Sequence, residues 1–88
     1  MFRLWAKVFK DNHLLSDTVI CDSNPETTRT TKIFNAVTQA CMEFDLAEPI
    51  WLPSNIKEFQ RRDKTRFNQD NFIESIEFDY LEIHIIEE

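Results

Sequence analysis

Residues 2–10 alternate, with Phe2, Leu4, Ala6 and Val8 on one face and Arg3, Trp5, Lys7 and Phe9 on the other, the period-two signature of a strand. A second β-like run covers Leu14 to Cys21. Between them, Asp11-Asn12-His13 reads as a tight turn, because Asp and Asn tolerate the left-handed backbone that primed hairpin turns require. A two-residue loop sets Val8 opposite Leu15, Leu4 opposite Val19 and Phe2 opposite Cys21, with Asp17 intruding opposite Ala6. A three-residue loop instead sets Phe9 opposite Leu15 and Trp5 opposite Val19.

The periodicity then changes to that of a helix. Ile33, Phe34, Val37, Ala40, Cys41 and Phe44 share one apolar face, leaving Arg29, Lys32, Gln39 and Glu43 largely toward water. Ser23 and Glu26 have capping-box spacing and Pro25 suits a first turn, while Pro49 restricts Glu48, so the spacing predicts a helix over roughly 25–46. Pro49 to Pro53 reads as a short edge strand or packed loop. Ser54 is the N-cap candidate of a short helix in which Ile56 and Phe59 share a face. From Asp63 to Asn71 the pattern dissolves around Phe67 and predicts irregular structure. A last strand over Ser75–Ile86 changes phase between Tyr80 and Leu81, which implies either a bulge or a central strand covered on both sides. Together these elements predict one domain over residues 1–88: a two-layer α+β fold in which a mainly antiparallel sheet is packed on one face by one long helix.

This fold leaves large side chains on the uncovered face. If the long helix shields Leu4, Ala6 and Val8, then Trp5 and Phe9 project from the other side, joined by Leu14 and Ile20 under the two-residue register. Such a cluster implies a partner, a second copy, or a cover formed by residues 49–67, and Trp51 faces the same choice. Trp5, Phe9, Ile20 and Trp51 are therefore the candidate partner-binding residues.

Composition narrows the chemistry. The 88 residues include no glycine, which argues against phosphate-wrapping loops, dinucleotide turns and nucleophile elbows. A hydrophobic fraction of 42% and an aromatic fraction of 12% belong to a folded chain rather than a disordered one. The net charge of −6 repels nucleic acid and anionic membranes at long range. Five of the ten basic residues, Lys57, Arg61, Arg62, Lys64 and Arg66, are nevertheless concentrated in one segment, the candidate site for a weak nucleic-acid contact with Phe59 or Phe67 as a stacking surface. Beyond residue 73 the sign reverses with Glu74, Glu77, Asp79, Glu82, Glu87 and Glu88. That run can meet the basic segment within one subunit or across a two-fold axis, or can mimic a nucleic-acid backbone as an inhibitor does.

Candidate catalytic and metal chemistry is sparse. His13 and His84 are isolated, Cys21 and Cys41 lack CxxC spacing, and no carboxylates follow a calcium-loop pattern, so no metal or cofactor is expected. Cys41 falls on the apolar helix stripe, where a thiol is normally inert, and the chain is expected not to be an enzyme. The threonines around Arg29 can hold an anion at a helix entrance but more commonly bond to their own backbone. Arg3, Lys7 and Lys10 interrupt the first ten residues, unlike a signal peptide, and no stretch has the ~20 apolar residues of a membrane span, so the expected compartment is the cytoplasm.

The opening Arg3-Leu-Trp-Ala-Lys-Val-Phe-Lys10, the stretch Thr65-Arg-Phe-Asn-Gln-Asp-Asn-Phe-Ile-Glu74, and Phe78-Asp-Tyr-Leu-Glu-Ile83 resemble small proteins of anaerobic Gram-positive bacteria that have no assigned activity. The resemblance implies a bacterial cytosolic protein and carries over no functional residue. The expected function is a non-enzymatic interaction or regulatory module, homodimeric or bound to another protein, with nucleic-acid binding through residues 57–66 and inhibition of a nucleic-acid enzyme as alternatives.

Overall fold

The computed structural model describes residues 1–88. The order of elements is β1 (Phe2–Lys10), β2 (His13–Asp22), α1 (Arg29–Phe44), α2 (Pro53–Arg62), β3 (Lys64–Phe67), a single 3-10 turn (Gln69–Asn71) and β4 (Tyr80–Glu87). The strands form one antiparallel sheet in the order β2-β1-β4-β3, giving the expected α+β fold. Phe2, Leu4, Ala6 and Val8 of β1 join Leu81, Ile83 and Ile85 of β4 and Ile33, Ala36, Val37, Ala40 and Cys41 of α1 in one buried cluster. Small residues at Ala6, Ala36 and Ala40, all essentially inaccessible, leave room for close approach of helix and strands.

Both hairpin registers prove to be half right. Asp11 and Asn12 adopt φ 52° and 65°, a two-residue turn that pairs Lys10 with His13 and Phe9 with Leu14. A bulge then adds Leu15, so Val8 pairs with Ser16, Leu4 with Ile20 and Trp5 with Val19. That one-residue slip turns Ile20 onto the helix-covered face, where it is 5% exposed, and removes it from the outer face on which the two-residue register places it.

The long helix begins later than its capping-box spacing suggests. Asp22 accepts from the Asn24 N–H at 2.8 Å and Asn24 accepts from the Glu26 N–H at 3.0 Å, and these successive side-chain turns hold residues 22–26 out of helical geometry. Thr28 is the actual N-cap, its hydroxyl accepting from the Thr31 N–H at 3.2 Å. The helix ends before Pro49 because Asp45 turns left-handed (φ 57°), with Asp45 N–H donating to Met42 and Leu46 N–H to Cys41 in a Schellman arrangement.

Leu52 stands at the N-cap position of the second helix, without a side-chain cap, and Pro53 opens its first turn, two residues earlier than a Ser54 cap would set. Asp63, again left-handed at φ 57°, ends it and sends the chain directly into β3, so the segment expected to be irregular contains an edge strand. β4 starts only at Tyr80, which removes the apparent phase change: Ile76 and Phe78 precede the strand, Leu81, Ile83 and Ile85 face the core, and Tyr80 faces outward. β4 is central in the sheet, as one of the two expected explanations requires, but the helices cover only one of its faces.

Candidate interaction surface on the outer face of the sheet

Pairing registers fix which side chains meet across the face opposite the helices. Leu14, Phe9 and Tyr80 form one row, Asp17, Lys7, Glu82 and Arg66 a second, Val19, Trp5, His84 and Lys64 a third, and Cys21, Arg3 and Glu87 the last. The second row is a ladder of alternating charge across all four strands. Lys7 Nζ lies 3.0 Å from Glu82 Oε1, and Arg66 Nε donates to Glu82 Oε2 at 2.9 Å. The acidic run thus meets the basic segment inside one subunit through Glu82 and Arg66, while Glu87 pairs with Arg3 at 3.2 Å and Glu88 with Arg29 at 2.6 Å, both outside that segment.

Two rings of this face, Trp5 and Tyr80, contact the ladder directly. The Trp5 indole N–H donates to Asp17 at 2.9 Å while the Lys7 ammonium sits 4.0 Å from the ring centroid. Phe9 stacks on Tyr80 with centroids 5.2 Å apart, and the Arg66 guanidinium lies 4.5 Å from the Tyr80 ring. Leu14 and Val19, at 48% and 43% exposure, extend the apolar surface along β2. These contacts favour one orientation of each ring, and a restricted side chain lowers the entropy cost of a contact.

Trp5 and Phe9 lie where the strand alternation places them, but Ile20 and Trp51 do not join them. Trp51 packs on the helix side, edge to face with Phe34, Phe59 and Phe67 at centroid distances of 5.5, 5.6 and 5.0 Å. Its shelter comes from α1, α2 and β3, so it belongs to the flank of the core. The basic segment is divided by the fold. Lys57, Arg61 and Arg62 are exposed on α2, whose Phe59 is buried on the helix side, while Lys64 and Arg66 lie on the outer face. Val19, opposite Trp5 as the three-residue register expects, completes the outer face with Tyr80 and His84, whose membership depends on where β4 begins.

Burial by itself raises the pKa of Glu82, but the hydrogen bonds and charges of Arg66 and Lys7 outweigh it and hold the carboxyl below its ordinary range. A depressed folded-state pKa stabilises the fold above the unfolded value, and that contribution is lost as pH falls through the folded value. Glu82→Gln is accordingly expected to cost about 1–2 kcal/mol at neutral pH, with the gap to the parent closing in acid below the ordinary carboxylate range. Urea midpoints of both proteins measured from pH 7 downward check this, and a gap that is constant or widens in acid contradicts it.

The two thiols differ in environment. Cys21 is exposed beside Arg3, whereas burial, with a smaller contribution from Glu48, pushes the Cys41 thiol up to about 11. No helix is long and apolar enough to cross a membrane. No protein family, curated protein or solved structure matches the chain.

Proposed function

We propose that the protein is a non-enzymatic interaction module that associates with a second copy of itself through the outer face of the sheet. The observation that carries this reading is a set of rings, Phe9 and Tyr80 on one side of the charged row and Trp5 on the other, flanked by Leu14 and Val19 and covered by no other element, while both helices lie on the opposite side. Charge favours a like partner there. Arg3, Lys7, Lys64 and Arg66 stand against Asp17, Glu82 and Glu87 on this face, although the chain as a whole has 10 basic and 16 acidic residues. Two acidic subunits repel less when they meet on a face whose own charges nearly cancel. Alternating charges also allow an isologous two-fold contact, with two sheets packed face to face at roughly 10 Å. Removing the exposed parts of these apolar side chains from water contributes on the order of several kcal/mol.

Sedimentation equilibrium at tens of micromolar protein is the test. A dimer is expected, reduced to a folded monomer by Trp5→Glu, with circular dichroism confirming the fold. A monomer at every concentration, or a dimer indifferent to Trp5→Glu, removes the reading.

A nucleic-acid reading is second, and it rests on Lys64 and Arg66 lying on the same open face as Tyr80 and Phe9, the arrangement of cations and rings that single strands use. Salt-sensitive binding of oligothymidylate that disappears in Lys64→Glu with Arg66→Glu would transfer the face to this ligand.

A further inference from the structure

On the helix side, a groove of about 810 Å³ opens between the C-terminal end of α1, the β1–β2 hairpin and the segment 72–78. Its apolar floor includes Val8, Phe44, Leu46, Phe72 and Phe78. Leu15 is the inserted residue of the bulge and stays 55% exposed, a large apolar side chain on the lip of an open cavity. Around this floor stand four carboxylates, Glu43, Asp45, Glu74 and Glu77, against a single cation, Lys10.

None of these four acids is in an ion pair, whereas Glu82, Glu87, Glu88 and Asp63 all are. Glu43 accepts only from the Thr18 hydroxyl, at 3.3 Å. Two of them, Glu43 and Asp45, lie at the C-terminal end of α1, where the helix dipole is negative and where no basic residue occupies the last turn. Helix ends of that sign normally gather lysine or arginine, so the acids cost stability unless positive charge is supplied from outside. A metal ion does not fit, because no three acidic, histidine or cysteine side chains converge closely enough to ligate one.

We propose that this groove binds a basic, apolar-rich peptide segment of a partner protein. Its apolar side chains lie against Leu15, Phe44, Leu46 and Phe78, and its lysines or arginines meet Glu43, Asp45, Glu74 and Glu77. The volume suits several side chains and falls in the range of built binding clefts. An amphipathic helix presents that combination of apolar and cationic faces most compactly. The groove lies on the opposite side of the sheet from Trp5 and is available whether or not the outer face is occupied.

Fluorescence-anisotropy titration with a labelled amphipathic peptide of about 12 residues, built of leucine and lysine at helical spacing, tests the assignment. Its counterpart with glutamate in place of lysine is the control. The lysine peptide is expected to bind and the glutamate peptide not to bind. Glu74→Lys with Glu77→Lys should weaken binding about tenfold, the effect of two partly screened charge pairs. Leu15→Asp should weaken it as much, and Trp5→Glu should leave it unchanged. All these positions except Trp5 are exposed, so the variants fold, which a thermal scan verifies. Failure of the lysine peptide to bind, equal binding of both peptides, or indifference to the groove substitutions would overturn the proposal. Binding lost only in Trp5→Glu would assign the peptide to the outer face instead.

Discussion

Replacing Phe67 by alanine is expected to cost about 3–5 kcal/mol, the usual range for emptying a fully packed aromatic site and comparable with the whole stability of a small domain. Phe67 is 0% exposed and is the largest of the side chains that are completely inaccessible. It pairs with Leu81 across β3 and β4 and meets the Trp51 ring edge to face at 5.0 Å. Its loss therefore empties the place where the edge strand, the 49–53 loop and α2 all converge. Urea titration followed by circular dichroism measures the effect. If the alanine variant is unfolded in water, Phe67→Leu, which retains most of the volume, is expected to lose roughly 1–2 kcal/mol and to remain measurable. An alanine variant within about 1 kcal/mol of the parent would mean that β3 is not part of the core.

Phe67 also shows where reading the chain stops. A four-residue strand, Lys-Thr-Arg-Phe, offers only two inward positions, Thr65 and Phe67, and one of them is a threonine. Two alternations in a polar stretch do not rise above background, yet β3 exists because β4 offers it a partner, an interaction between residues nearly 20 positions apart. Longer periodic elements suffer less. Eight residues of alternation in β1 and the i, i+3, i+4 stripe of α1 identify both elements and most of the faces they bury, although Phe34 of the expected stripe is 48% exposed and Ala36 is buried instead. What remained hidden was set by single residues acting locally: a bulge at Leu15 that moved Ile20 inward, paired side-chain turns at Asp22 and Asn24 that delayed α1, and Tyr80 as the true start of β4. Trp5 and Phe9 were legible on the outer face because the extra residue of the bulge lies in β2, so the alternation of β1 runs unbroken through both. Ile20 and Trp51 were not, because each depends on contacts made by another segment. The absence of glycine was informative in a different way. All four positive-φ positions, Asp11, Asn12, Asp45 and Asp63, fall on the two residue types that replace glycine there at least cost.

Asn55→Ala should cost about 2–3 kcal/mol, more than the removal of one ordinary hydrogen bond, because it strands several buried groups at once. Asn55 is 6% exposed and Asn71 2%, and together they tie α2 to β3 and to the 49–53 segment beside the Trp51 cluster. The Asn55 amide donates to the Thr65 hydroxyl and the Arg66 carbonyl, both at 2.9 Å, while its oxygen accepts from Leu52 N–H at 3.1 Å and from the Asn71 amide at 2.7 Å. Asn71 in turn donates to the Ile50 carbonyl at 2.8 Å and accepts from Asn68 N–H at 3.0 Å. No buried side-chain polar atom is left without a partner, so the network is complete and any truncation leaves unmatched donors or acceptors. Asn55→Asp separates hydrogen bonding from size. It keeps the shape and the acceptor but loses the two donations, and it introduces a charge facing a carbonyl and a hydroxyl. It is expected to destabilise at least as much as alanine at neutral pH and to recover in acid, as protonation restores a donor. A double cycle with Asn71→Ala should show coupling of about 1 kcal/mol or more between the two asparagines. Additive losses would mean that they stabilise the loop independently, and that the attachment of β3 and residues 49–53 to α2 rests on the Trp51 cluster alone.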